Sequence, residues 1–327
     1  VYCPFSNRKE RKEVSMQKTL LRSDAILLTT AIIWGFAFVA QRVGMNYVGP
    51  FLFNGIRFAL GCLVLIPFIL KNGISNGRRD NERKALDLRT LVLGGALAGL
   101  TLFGGSSLQQ VGIVYTTAGK AGFITGLYVV IVPFLGLLWK QHTNRGTWMG
   151  AICAASGLYF LSITEQLTID FGDFLVLLGA FCFAVHVLVI GWLSPKMDSL
   201  RLAFIQYAAV SFISLFTAFI VEDVSINGIY QAAVPILYGG VMSVGIAYTL
   251  QVIGQRTAHP AHASIILSLE AVFAALGGWL LLQEVMTLRQ LSGCALMLSG
   301  MFISQLWGYF AYIQAGKNHY YSSIHRD

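Results

Sequence analysis

Charge is what this sequence has least of. Asp, Glu, Lys and Arg make up 12% of its 327 residues, roughly half the share of about 25% found in soluble domains. Too little polar surface is left to coat a water-soluble globule, and the deficit recurs along the chain, so that class is excluded. Cysteine numbers five, with no CxxC pair, and Cys62, Cys153, Cys182 and Cys294 fall inside apolar runs. This excludes a disulfide framework or thiolate zinc site and leaves inert buried thiols. No GxxxxGK[ST] or HExxH occurs, so neither an ATP-driven motor nor a familiar HExxH metal site lies within the chain. No cofactor is expected. The opening VYCPFSNRKERKEVSM lacks the apolar core and small-residue cleavage site of a signal peptide. Residues 1–15 read as an extension of little structural consequence.

Apolar runs are what the sequence does have. Ten can be read, at about 24–41, 50–70, 90–113, 116–139, 146–163, 174–193, 202–221, 232–254, 260–282 and 290–312. Each approximates the ~20 residues that cross a bilayer as helix. Pro50 and Pro260 open spans, where a missing N–H costs little. Pro133 and Pro235 lie inside spans, which membrane helices tolerate when neighbours satisfy the freed carbonyl. The one long connection, at 71–89, is polar and charged, and no soluble domain is present.

The net charge of +8 sets orientation rather than nucleic-acid binding, because the basic residues sit between apolar runs. With a cytoplasmic N-terminus, 19 of the 23 Lys and Arg fall on the cytoplasmic side, Arg78 and Arg79 of the long loop among them. The loops at 164–173 and 222–231 hold only acidic charges. By the positive-inside rule both termini are cytoplasmic.

The two halves resemble each other. A shift of 142 aligns residues 108–141 with 250–283 without a gap, and ten of the 34 positions are identical, the LQxxG of Leu108–Gly112 and Leu250–Gly254 included. A shift of 143 brings Gly150, Ser156 and Gly157 onto Gly293, Ser299 and Gly300. A weaker match at 149 pairs Trp34 with Phe183 and Arg57 with Gln206. Five spans per repeat, an odd number, force the second repeat to enter the membrane upside down. Inverted repeats are how many transporters expose one midplane site to each side in turn. The expected architecture is therefore an all-α membrane protein of ten transmembrane helices in two inverted five-helix repeats. Residues 1–23 and 313–327 form cytoplasmic tails, and the repeats occupy 24–163 and 171–310.

The stretches AIIWGFAFVAQR, FNGIRF and AGKAGFITGLYVVIVPFLGLLW resemble EamA-type permeases of the drug/metabolite transporter superfamily. ASIILSLEAVFAALGGWLLLQE and LRQLSGCALMLSGMFIS are similar to the close of such a repeat. The resemblance covers roughly residues 24–310. It implies ten helices, a central cavity and transport of small metabolites, commonly export. Ala271 departs from the pattern: members often carry proline there, which removes one cause for a kink.

Charges inside a bilayer cost about 2.5–3.5 kcal/mol at its centre on insertion scales and must face protein or a wet cavity. Glu270 lies mid-span among apolar neighbours, where a carboxyl group could bind a proton or pair with a cation. Arg57 could hold an anionic group in its planar fork or act as a structural counter-ion. Lys120, one turn into span four, could bind solute or snorkel. His186 reads as a core histidine or a pathway residue, and His262 lies near the cytoplasmic surface. Arg57, His186 and Glu270 align with Gln206, Ala37 and Tyr128, so the repeat fold does not demand these charges. The glycine-rich stretches GGALAGLTLFGG and GGVMSVG read as close helix packing.

The reading is a secondary transporter of the bacterial inner membrane, exporting a small metabolite such as an amino acid or other carboxylate by alternating access. Arg57, Lys120, His186 and Glu270 are its candidate pathway residues. Its partners are a small solute, protons as a candidate coupling ion, and membrane lipid, with no nucleic acid. The alternative is a membrane-embedded enzyme, receptor or scaffold, for which no nucleophile, metal set or extra-membrane domain is present in the sequence.

Overall fold

A computed structural model describes the backbone of residues 4–75, 81–141, 143–162, 170–282 and 287–324. Among these residues there are helices and no strand. In order they are α1 (Pro4–Gly44), α2 (Pro50–Ser75), α3 (Asn81–Tyr115), α4 (Ala118–Gly126), α5 (Tyr128–Leu138), α6 (Arg145–Ser162) and α7 (Phe171–Leu193). Then come α8 (Ser199–Val221), α9 (Ile226–Gln231), α10 (Ala233–Leu237), a π-helical segment (Tyr238–Tyr248), α11 (Thr249–Gly254), α12 (Pro260–Leu267), α13 (Glu270–Leu282) and α14 (Leu288–Ile324).

Eight stretches among the described residues are long and apolar enough to cross a membrane. Three are interrupted helices: α4 with α5, α12 with α13, and α10 with the π segment and α11. The other two expected spans, about 146–163 and 290–312, extend beyond the described side chains. Their described parts lie in α6 and α14, which pack together. Helix also covers much of what reads as tail and loop. It begins at Pro4, and only 76–80 separates α2 from α3, because the Lys, Arg, Glu, Ala and Leu there are strong helix formers. Arg78, Arg79 and Glu165 lie outside the described residues.

Small residues bring the helices together. At the α6–α14 crossing, Gly150 lies against the carbonyl of Gly300 and Gly157 against that of Gly293. A Cβ at Gly150 would come within 2.6 Å of that oxygen, and so would one at Gly157. Where α2 meets α8, Cys62 reaches the carbonyl of Phe204 (3.8 Å) and Ser211 donates to that of Gly55 (2.9 Å). The π segment meets α2 through Gly240 against Leu60 and Gly61 against Val244. Its wider turn re-aims side chains and leaves Ser243 and Tyr248 facing inward.

The breaks in α4–α5 and α12–α13 fall at corresponding positions. Leu127 N–H bonds the carbonyl of Ile124, and Leu269 N–H that of Ile266, both at 3.2 Å. Each is an i−3 bond that tightens the turn. The second break forms without a proline at 271. Ser264 and Ser268 instead donate their hydroxyls to carbonyls three residues back, at 2.9 Å, a pattern that bends helices.

Candidate solute cavity

The breaks open onto a cavity in the middle of the bundle. α1 contributes Trp34 and Gln41, α2 Arg57, α3 Gln109, and α7 His186. Tyr128 and Glu270 open the helices that follow the two breaks, so each side chain projects where its helix has just been interrupted. Aromatic and apolar side chains share this lining with convergent polar and charged groups, and such groups are what orients a ligand in a small-molecule site.

Among the described residues Arg57 is the largest of the fully buried side chains, 2% exposed. Its guanidinium lies 5.2 Å from the ring of Phe58 and 5.6 Å from that of Phe53. These cation–π contacts offset part of the desolvation. No carboxylate pairs with it among the described residues, and its Nε has no hydrogen-bond partner. An uncompensated buried charge costs several kcal/mol, and the fork offers only hydrogen-bond donors, which suit an anion.

Glu270 is equally enclosed and its Oε1 is unpartnered. Tyr128 Oη lies beside this carboxyl. His186 is satisfied: its Nε2 donates to Gln206 Oε1 at 2.9 Å, and its ring meets Tyr248 edge-on at 6.2 Å. Trp34 and Tyr248 form an aromatic wall with ring centroids 4.5 Å apart. Gln109 donates to Thr125 Oγ1 at 2.9 Å.

Of the residues singled out in the sequence, the cavity brings together Arg57, His186 and Glu270. Lys120 is elsewhere. Its Nζ pairs with Asp173 at 3.4 Å and with Asp170 at 3.8 Å, so its charge is balanced by protein. His262 is held between Asp24 (3.0 Å) and Ser304 (2.9 Å). The aromatic and amide lining, Trp34, Tyr128, Tyr248, Gln109 and Gln251, was not marked as functional by sequence. The one available signal was the matched glutamine of the two LQxxG segments, which served only to align the repeats.

A helical membrane protein with a polar cavity walled by interrupted helices has the form of a small-solute transporter. The EamA-like transporter family matches the chain twice, over residues 21–163 and 170–306, and the protein belongs to that family. It is 32% identical to an uncharacterized transporter of Archaeoglobus fulgidus, over 88% of this chain and 86% of the relative. It is 26% identical to the uncharacterized transporter YoaV of Bacillus subtilis, over 85% and 94%. A crystal structure 18% identical in sequence shares the fold with a TM-score of 0.69, over 88% of this chain and 97% of that one. The protein is a membrane transporter.

Proposed function

We propose that the protein is a secondary transporter that moves a small carboxylate-bearing metabolite through this cavity by alternating access, in the export direction that its EamA resemblance implies. The observation that carries the reading is Arg57. A buried guanidinium that faces the cavity and has no carboxylate paired with it among the described residues is matched by an anionic solute, whose planar carboxylate suits the fork. Glu270 is proposed as the proton-coupling group, and His186 as a pathway wall.

The proposed architecture is ten spans in two inverted repeats, in the bacterial inner membrane with both termini cytoplasmic. Two sets of reciprocal contacts support it. Cys62 and Phe204 correspond, at the shift of 149, to Ser211 and Gly55, and the same side-chain-to-carbonyl contact is made in both directions. Gly150 and Gly300 correspond, at 143, to Gly293 and Gly157, which meet in the same way. Such i-to-j, j-to-i pairing is what a two-fold relation between segments generates, and it runs antiparallel, as inversion requires.

Purified protein in proteoliposomes, tested against carboxylates, their amides and neutral analogues, decides the substrate class. Selective movement of the carboxylates is the expected result. Equal movement of neutral analogues, or none of either, would refute it.

A further inference from the structure

The ion pair at Lys120 and the pair at His262 are the same contact made twice. A shift of 142 carries Lys120 onto His262, and a shift of 149 carries Asp24 onto Asp173. In the structure Lys120 Nζ meets Asp173 Oδ2 at 3.4 Å, and His262 Nε2 meets Asp24 Oδ1 at 3.0 Å. The surroundings correspond as well. Thr117 caps α4 and His259 caps α12, again 142 apart. Gly172 packs against the carbonyl of Gly112, while Ser23, its counterpart, donates to that of Gly254 at 2.5 Å. Each pair therefore ties the start of an interrupted span to the helix packed beside it: α4 to α7 in one case, α12 to α1 in the other. The breaks that border the cavity lie only a few residues beyond each pair.

Both acids accept a further hydrogen bond. Thr116 donates to Asp173 Oδ1 at 2.5 Å, and Gln305 of α14 to Asp24 Oδ2 at 3.3 Å. Ser304 engages the other ring nitrogen of His262. Yet neither pair is sealed from water. Lys120 is 32% exposed, and His262 and Asp24 are 19% and 15% exposed. A partly hydrated ion pair can be broken and remade at modest cost, as a moving contact must be.

We propose that these two pairs are latches, one at each end of the cavity, and that opening one while the other holds gives alternating access. The inference rests on the inverted architecture proposed above, which puts the two pairs on opposite membrane faces. It does not depend on the solute. It also gives Lys120, which lies off the cavity, a part in transport without contact to the solute.

The test uses the full-length chain with its five cysteines replaced and a single cysteine introduced by Ala37→Cys on the cavity wall. The readout is labelling by an impermeant thiol reagent in right-side-out and inside-out vesicles. Asp24→Asn and His262→Gln should raise labelling from one face relative to the other, and Asp173→Asn and Lys120→Gln should do the reverse. Each shift in the ratio should be roughly two- to fivefold, the population change that a partly exposed ion pair supports. Restoring opposite charges in exchanged positions (Lys120→Asp with Asp173→Lys) should return the parental ratio and would expose a single variant that merely fails to fold. An unchanged ratio in all variants, or shifts all in one direction, would overturn the latches. Single cysteines at Lys120→Cys and His262→Cys separate the two ideas. If they label from the same face the inverted architecture itself fails, whereas opposite faces with unchanged cavity access sink only the latches.

Discussion

Tyr128 and Glu270 occupy corresponding positions, 142 residues apart, and lie side by side in the cavity lining where their helices restart after a break. The pair puts a phenol at the start of α5 and a carboxyl at the start of α13, both in the cavity lining. Matching positions of the sequence therefore carry different chemistry, and that difference organises what can be tested.

Arg57→Gln keeps a polar group of similar reach and removes the charge. Transport of carboxylates should fall roughly ten- to a hundredfold, the equivalent of about 1.5–3 kcal/mol for a charged hydrogen bond, while the melting temperature holds or rises because a buried unpaired charge is gone. Initial rates in proteoliposomes and a thermal melt check both. A collapse of the melt with the rate would make Arg57 structural.

Glu270→Gln keeps the shape and fixes the neutral form. Transport driven by an imposed pH gradient should be lost, while exchange of solute across the membrane persists, since a coupling group acts by differing in proton affinity between states. Parental gradient response in the variant would remove Glu270 from the coupling role.

Gly150→Leu places a branched side chain against the carbonyl of Gly300. The α6–α14 crossing must then separate, with an overpacking cost of about 1–3 kcal/mol. The detergent-solubilised variant should melt several degrees lower. Gly119→Ala, at a position with open space around it, is the matched control and should melt like the parent.

A single cysteine introduced by Asn227→Cys, in α9, should react with an impermeant reagent from outside intact cells. Reaction only after lysis would reverse the orientation inferred from Lys and Arg.

Much of the fold could be read without coordinates. In a bilayer the backbone must satisfy its own hydrogen bonds, so each span is a helix and each helix is written as a run of apolar residues. The duplication was legible for a similar reason, since LQxxG recurs where apolar composition alone would not place it. The breaks at Leu127 and Leu269 were less legible. One of them needs no proline and arises from serine hydroxyls and tightened turns, which sequence spacing does not distinguish from an ordinary helix.

Arg57 and Glu270 stood out in the sequence because a charge in an apolar run is costly wherever it points. What each one meets was decided by the tertiary structure. Lys120 stands as prominently as Arg57 in the sequence, yet it is neutralised by Asp173 from a helix more than fifty positions away, whereas Arg57 has aromatic rings beside it and no paired carboxylate among the described residues. Trp34, Tyr128 and Tyr248 look like any aromatic in a membrane helix until rotation and interruption of the helices turn them to one cavity. Composition decides that a residue lies in the membrane, because burial in lipid is a property of the span. Which partner it meets there is set by how helices pack against one another, and that depends on residues far away along the chain.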